Sequence, residues 1–360
     1  MPSLTLDDLA GKFQSETFKA TLRGTFTKAL SFFGSGFMTE APDDIIDPAQ
    51  TGKFGNLPQW NVDTSDPDQI TTSSTTPINK LSQYKDRFAW MELEKGWGAQ
   101  ELINTVAGRG SDMIEEIAVH IGEYWAYALQ KRAVNVLKGI FAAELASSHS
   151  TGNTYAGAVI SNAGVLAAKY KLGDWHRMLN LILMHSKVHA DAVTNNLITF
   201  SSGPVGSSTF VTGSPGQILG LMPFADDDLT ATADVYSSFL GGRGSMVYKL
   251  RERPGSTMSS RNVVKTGGIN LELTRDAKAA GGTDEIITRV SCMVHTPGVA
   301  WEDAAPENPT LAQLATGSNW NKVAPDKLIR VAELKTIKLF RKKQSLHEIC
   351  TLMHLLLPPC

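Results

Sequence analysis

The chain has 360 residues, 42% hydrophobic and 19% charged, ample for a sizeable core and for about two or three domains. Its net charge of -2 and pI of about 6.5 exclude the global basic field of a dedicated nucleic-acid binder, so any such contact is local. Three widely spaced cysteines, Cys292, Cys350 and Cys360, exclude a disulfide framework or a zinc ribbon and read as free thiols in a reducing compartment.

The N-terminus lacks the basic and apolar regions of a secretion signal. No apolar run reaches the length of a membrane span; the nearest, Ile349–Leu357, is short and interrupted by His354. Residues 4–33 read as an amphipathic arm in which Leu6, Leu9, Phe13, Leu22, Phe26 and Leu30 alternate with Lys12, Lys19, Arg23 and Lys28. Gly34–Gly36 and the Pro/Asp-rich stretch 42–48 end any helix there. Residues 54–83 are poor in aliphatics. Two extended pieces, Leu57–Val62 and Ile70–Thr76, flank the turn-forming run Asp63–Asp68, which suggests a long hairpin-like loop. Such a loop has too little apolar surface to hold itself folded and must be disordered or dock elsewhere.

One very long helix is predicted over Asp112–Ala146, roughly 50 Å at about 1.5 Å per residue. Asp112 and Glu115 resemble a capping box. Met113, Ile117, Ile121, Trp125, Ala128, Ala133, Val136 and Ile140 recur at helical spacing. Ile117, Ile121 and Trp125 are its core candidates, with Ile121 and Trp125 expected against a sheet. Sustained heptads are lacking, which argues against a coiled coil. A second helix is predicted over Asp174–Ile198, with Asp174 as its N-cap. Short strands are predicted at Ile218–Pro223, Ser245–Arg251, Ile269–Thr274, Glu285–His295 and Lys327–Leu334, and a short helix at Thr310–Thr316. No internal repeat is visible. The order of elements implies an α+β class.

No constellation makes a convincing catalytic centre. His185 and His189 stand at i and i+4, which is metal-ligand spacing, but the zinc-protease pattern needs Glu where Ser186 stands; packed or surface histidines are the better reading. Asp226–Asp228 could bind a divalent cation but lacks the spacing of a calcium loop, so a strand end or turn is preferred. Gly241–Gly244 has neither the dinucleotide spacing nor the phosphate-loop Lys, and reads as a turn. No Gly-x-Ser-x-Gly elbow exists. No catalytic residue, metal site or cofactor is assigned. The arm's basic residues could face phosphate, or line a solvated helix face.

Several segments in order carry a resemblance: Phe54–Trp60, Lys85–Trp90, Gly110–Ile114, Gly173–Trp175 leading to Met184–Ser186, Tyr236 with Leu240–Gly244, Arg275-Asp276, His295–Trp301, Leu311 to Leu314, and Ser318–Trp320. Together, over roughly residues 50–336, the chain resembles the major capsid proteins of tailed bacteriophages, whose shell fold is named after the phage Hong Kong ninety-seven. The resemblance implies an N-terminal arm (1–50), an extended loop (51–90), a peripheral domain with the long spine helix (91–170), an axial domain (171–270) and a return to both domains (271–336). It fades after Thr336. The tail 337–360 is either a lineage-specific extension or a sequence foreign to the family core.

The implied function is a non-enzymatic subunit that self-assembles as hexamers and pentamers of an icosahedral head around double-stranded DNA. The DNA would be enclosed without its sequence being read, and no membrane is involved. Scaffold, portal and decoration proteins are the implied partners, and the implied location is the virion, after assembly in the host bacterial cytoplasm. Candidate intersubunit contacts are Phe54, Trp60, Asp63 and Asp66 in the loop and Phe13, Leu22 and Phe26 in the arm. The rival readings are an encapsulin-like compartment shell and, less favoured, a metal-dependent enzyme using His185 and His189.

Overall fold

The computed structural model describes residues 20–21, 31–47, 52–60, 66, 83–100, 112–198, 216–251, 263–266, 269–276 and 283–337. Its longest element is a 31-residue helix, Asp112–Ala142, about 46 Å from end to end. The sequence pattern extended it to Ala146. The helix instead closes on a wide turn in which the Leu145 amide donates to Ile140 O at 2.9 Å, and a further turn follows, with His149 N on Leu145 O. That six-residue closure satisfies an orphan carbonyl at the helix end. Ala118, Ile121, Trp125, Leu129, Ala133, Val136, Leu137 and Ile140 are all buried, the three-to-four spacing that one packed helix face requires. Ile117 is half-buried against the same core. Trp125 Nε1 donates to Thr288 Oγ1 at 3.0 Å, which fixes the helix on the central strand of a sheet.

That sheet has six strands, organised by the 13-residue strand Thr283–His295. Along one edge it pairs antiparallel first with Ile269–Asp276 and then with Met246–Arg251. Its other edge takes Met91–Gln100. Val263–Thr266 extends the first side, and Met38–Glu40 lies parallel to Met246–Arg251. Arg289 ties three strands together by pairing with Glu94 and Glu272.

A second, four-stranded sheet runs Val331–Ile337, Val235–Gly241, Leu181–Met184, Met222–Ala225. The segment around Ser150 adds a parallel bridge beside Glu333. Helices Asn162–Lys169 and Ser186–Thr194 pack on it and form a second core around Val165, Ile182, Val188 and Leu334. Strand Val235–Gly241 serves both cores: Phe239 faces the first, with its ring 5.5 Å from that of Phe141, and Leu240 faces the second.

The helix expected over Asp174–Ile198 is a correction. Tyr170–Met178 forms 3-10 turns with non-helical backbone at Gly173, Leu181–Met184 is a strand, and only Ser186–Thr194 is α-helical. Leu181, Ile182, Leu183 and Met184 are all buried. A continuous apolar run of that length suits an inner strand as well as a helix, and periodicity cannot separate the two. Two strands are displaced. The strand expected at Ile218–Pro223 is Met222–Ala225, preceded by a tight Ile218–Leu221 bridge. The last strand begins at Val331, because Asp326–Leu328 makes a 3-10 turn. The expected piece Leu57–Val62 is Phe54–Trp60, and it pairs with Gln83–Ala89; Ile70–Thr76 lies outside the described residues, as do the arm's Lys12, Lys19, Arg23 and Lys28.

Gly139 is where the long helix meets the short helix Leu311–Leu314. A Cβ there would stand 2.1 Å from Leu314 O and 2.5 Å from Trp320 Nε1, which itself donates to that carbonyl at 2.8 Å. Gly139→Ala is expected to lower stability by about 2–3 kcal/mol, because the contact is to backbone that cannot step aside. The shift of the urea midpoint measures it.

Candidate assembly surface

The antiparallel pair Phe54–Trp60/Gln83–Ala89, in register from Phe54 opposite Ala89 to Trp60 opposite Gln83, forms a ribbon about 20–25 Å long. Its base is packed on the body of the subunit. At the base, Leu57 and Phe88 are buried with Ala41, Ile46, Trp90 and Met293 in a small core of their own. Gly55 lets the Phe88 ring lie flat on the opposite strand, since a Cβ there would come within 2.3 Å of it. At the far end Trp60 is 58% exposed. A two-stranded ribbon alone is marginal in water, so the base contacts set its direction.

The strongest of these is Asp86, which is fully buried. One carboxyl oxygen lies 2.8 Å from Nε2 of the buried His295, and the other accepts from the Gly298 amide at 2.7 Å. His295 is in turn held between the rings of Phe88 and Trp320. Arg87 lies 3.8 Å over the Phe54 ring and pairs with Asp303. Lys85 Nζ reaches the same carboxylate at 3.1 Å, and Lys53 pairs with Glu307. The hydrogen bond and charge of Lys85, then those of Arg87, hold the Asp303 carboxyl below its ordinary value, and Glu307 raises Lys53. Lys53, Lys85, Asp303 and Glu307 are exposed, so these pairs are screened and act as guides, whereas the Asp86 link is dry.

Two further anchors lie nearby. Lys249, 4% exposed, donates to Ala41 O at 2.8 Å and pairs with Glu40 and Asp43, which ties down the chain leading into the ribbon. Arg251 is buried with its guanidinium 4.0 Å over the Trp90 ring and Nε on Ser291 Oγ.

The sequence-derived contact candidates separate. Phe54 is half-buried under Arg87 within its own subunit, while Trp60 and Asp66 are exposed. Asp63, Phe13, Leu22 and Phe26 lie outside the described residues. Ile121 and Trp125 are buried between helix and sheet. Residue-type reasoning missed Asp86, His295, Lys249 and Arg251. Asp86 and His295 do lie within the segments that carry the resemblance, which was the available signal.

In the second lobe, His185 is the N-cap of Ser186–Thr194: its Nδ1 accepts from the Lys187 amide at 3.0 Å, and its ring lies 4.9 Å from that of Tyr236. Asp226–Asp228 follows a strand as a turn, with the Asp228 amide on Asp226 Oδ1. Among the described residues no three His, Cys, Asp or Glu side chains converge as ligands for an ion. The turn at Gly242–Ser245 is closed by Ser245 Oγ, which bonds Gly242 and Arg330 O. Glu333, also buried, accepts from Ser150 Oγ at 2.6 Å and Ser237 Oγ at 2.7 Å.

Burial lowers the pKa of both His149 and His185 from the ordinary 6.5. Above pH 6.5 both rings are neutral in the folded protein; their contribution to stability is fully present there and is lost as pH falls through the lowered folded values. Stability is expected to fall on acidification from that point, and His149→Gln should flatten the slope in urea titrations run at several pH values.

No protein-family model matches the chain. The chain is 27% identical over 327 residues to the major capsid protein of Bacillus phage SPP1, covering 89% of this chain and 95% of that protein. Among solved structures, the satellite phage P4 procapsid including size determination (Sid) protein superposes with a TM-score of 0.51 at 11% identity, over 88% of this chain and 90% of that one. The holo-SrpI encapsulin complex of Synechococcus elongatus PCC 7942 gives a TM-score of 0.43 at 9% identity over 87% and 90%, too low to argue from.

Proposed function

We infer that the chain is a major capsid protein of a tailed bacteriophage, a structural subunit of Hong Kong ninety-seven type that assembles with its own copies into a closed shell. The likeness to a phage capsid protein along 95% of that protein's length carries this reading. The geometry supports it: a ribbon clamped at its base and exposed at its far end is built to lie on something outside its own subunit. The role is structural and not enzymatic. Within this reading, residues 1–50 are the arm, 51–90 the extended loop, 91–170 the peripheral domain with the spine helix, 171–270 the axial domain, and 271–336 the return to both. The shell is icosahedral, built of hexamers and pentamers, and encloses double-stranded DNA without reading its sequence. It forms in the host cytoplasm with scaffold, portal and decoration proteins as partners and ends in the virion. Among the described residues no helix is long and apolar enough to cross a membrane.

Purified protein is expected to sediment as capsomers or shells, alone or with its scaffold. A monodisperse monomer at high concentration, with scaffold present, would sink the reading. Deleting Asp63–Asp68 separates contact from folding: the subunit should keep its unfolding transition and lose assembly. Loss of the transition, or unimpaired assembly, counts against an intersubunit role for the loop.

A further inference from the structure

His185 and the acidic turn Asp226–Asp228 meet in the second lobe. His185 is buried, and its Nδ1 caps the first turn of helix Ser186–Thr194 by accepting from the Lys187 amide at 3.0 Å. An imidazole can do this only while Nδ1 carries no proton, so the ring hydrogen sits on Nε2. Ser, Thr, Asn and Asp, the usual N-caps, keep an acceptor when the pH falls; a histidine loses it. The exposed carboxylate of Asp227 stands 3.7 Å from the same Nδ1. The ring also faces Asp226 from the turn, Lys187 from its own helix and the Tyr236 ring from strand Val235–Gly241. Hydrogen bonds from Ser186 hold the Asp227 carboxyl below its ordinary value, so it is still charged when the ring gains a proton.

The far side of the turn holds the long helix. Asp228 accepts from Nε2 of the buried Gln130 at 3.2 Å, and the Thr230 hydroxyl accepts from Lys138 Nζ at 3.3 Å. Leu229 between them is buried in the first core. One short stretch of chain therefore touches the cap of a second-lobe helix and the side of the long helix. We propose that His185 and Asp227 form a proton-operated latch between the two lobes. With a proton from solvent, Nδ1 becomes a donor, leaves the Lys187 amide and pairs with Asp227. The amide loses its cap, and the turn, drawn toward the ring, slackens its hold on Gln130. The device lies within one subunit, so the inference goes beyond shell formation and does not depend on it.

Hydrogen exchange of the full chain between pH 7 and pH 4.5, corrected for the intrinsic pH dependence of amide exchange, tests the latch. Protection across Lys187–Ala190 and Asp226–Thr230 should fall together by about fivefold, the worth of one helix cap. Strand Thr283–His295 of the first sheet should keep its protection over the same range. The response should vanish in His185→Asn, whose side-chain oxygen still accepts from Lys187 but takes up no proton. Asp227→Asn, at an exposed site that needs no repacking, should move the midpoint to lower pH, because the imidazolium loses its partner. His149→Gln should leave the midpoint where it is. A flat wild-type profile would overturn the proposal. So would a response that survives His185→Asn, is unmoved by Asp227→Asn or is abolished by His149→Gln. Loss of protection confined to the helix with the turn unmoved, or shared equally by Thr283–His295, would overturn it too.

Discussion

Replacing Asp86 by Ala is expected to cost about 3–5 kcal/mol, the range for removing one member of a buried hydrogen-bonded pair. The loss exceeds that of an exposed ion pair because two groups are stranded at once: the ring nitrogen of His295 and the amide of Gly298, both of which Asp86 now serves. Neither can reach water without opening the core that holds Phe88 and Trp90. Asp86→Asn keeps the shape and one acceptor, so it should cost less than Ala. The diagnostic is spatial. Amide exchange should rise across Gln83–Ala89 and Val299–Trp301 before it rises in the second sheet, and assembly should fail at concentrations where the subunit is still folded. Uniform loss of protection would mean that Asp86 stabilises the whole subunit and not the ribbon's direction.

Ile121→Asp should have a comparable effect by a different route. Ile121 is 2% exposed among Trp125, Ala118 and the strands beneath the helix. A carboxylate there has no partner, so it is either buried charged or protonated, and both options cost several kcal/mol. The protein should be insoluble or unfolded when expressed, and Ile121→Val, which removes one methylene, should cost only about 1 kcal/mol. A soluble Ile121→Asp protein with normal assembly would show that this helix face is not the packed one.

These two sites mark what could be read from the residues. The long helix was legible because its apolar positions repeat over many turns, so that one ambiguous residue cannot change the period. Of the first sheet, Met246–Arg251, Ile269–Asp276 and Thr283–His295 were expected to within two residues at each end, whereas Met38–Glu40, Met91–Gln100 and Val263–Thr266 were not expected at all. Leu181–Met184 was not legible: four consecutive apolar residues fit an inner strand and a helix equally, and only the pairing with Val235–Gly241 and Met222–Ala225 decides. The Asp86 link was hidden for another reason. A carboxylate between Lys85 and Arg87 reads as part of a solvated run, and its partner is 209 residues away. Burial of a charge is a tertiary fact, and local pattern carries little of it.

Strand Val331–Ile337 closes the second sheet against Val235–Gly241, and Met38–Glu40 pairs with Met246–Arg251 across an even longer stretch of chain. Both pairings are of high contact order, so folding is slow relative to a helical bundle of equal size. During translation, neither lobe can reach its final form while the ribosome still holds residue 337, because strand Val235–Gly241 belongs to both cores and lacks one neighbour until then. The second sheet is therefore the last part of the subunit to close, after the ribbon's own clamps, His295, Gly298, Asp303 and Glu307, have been made.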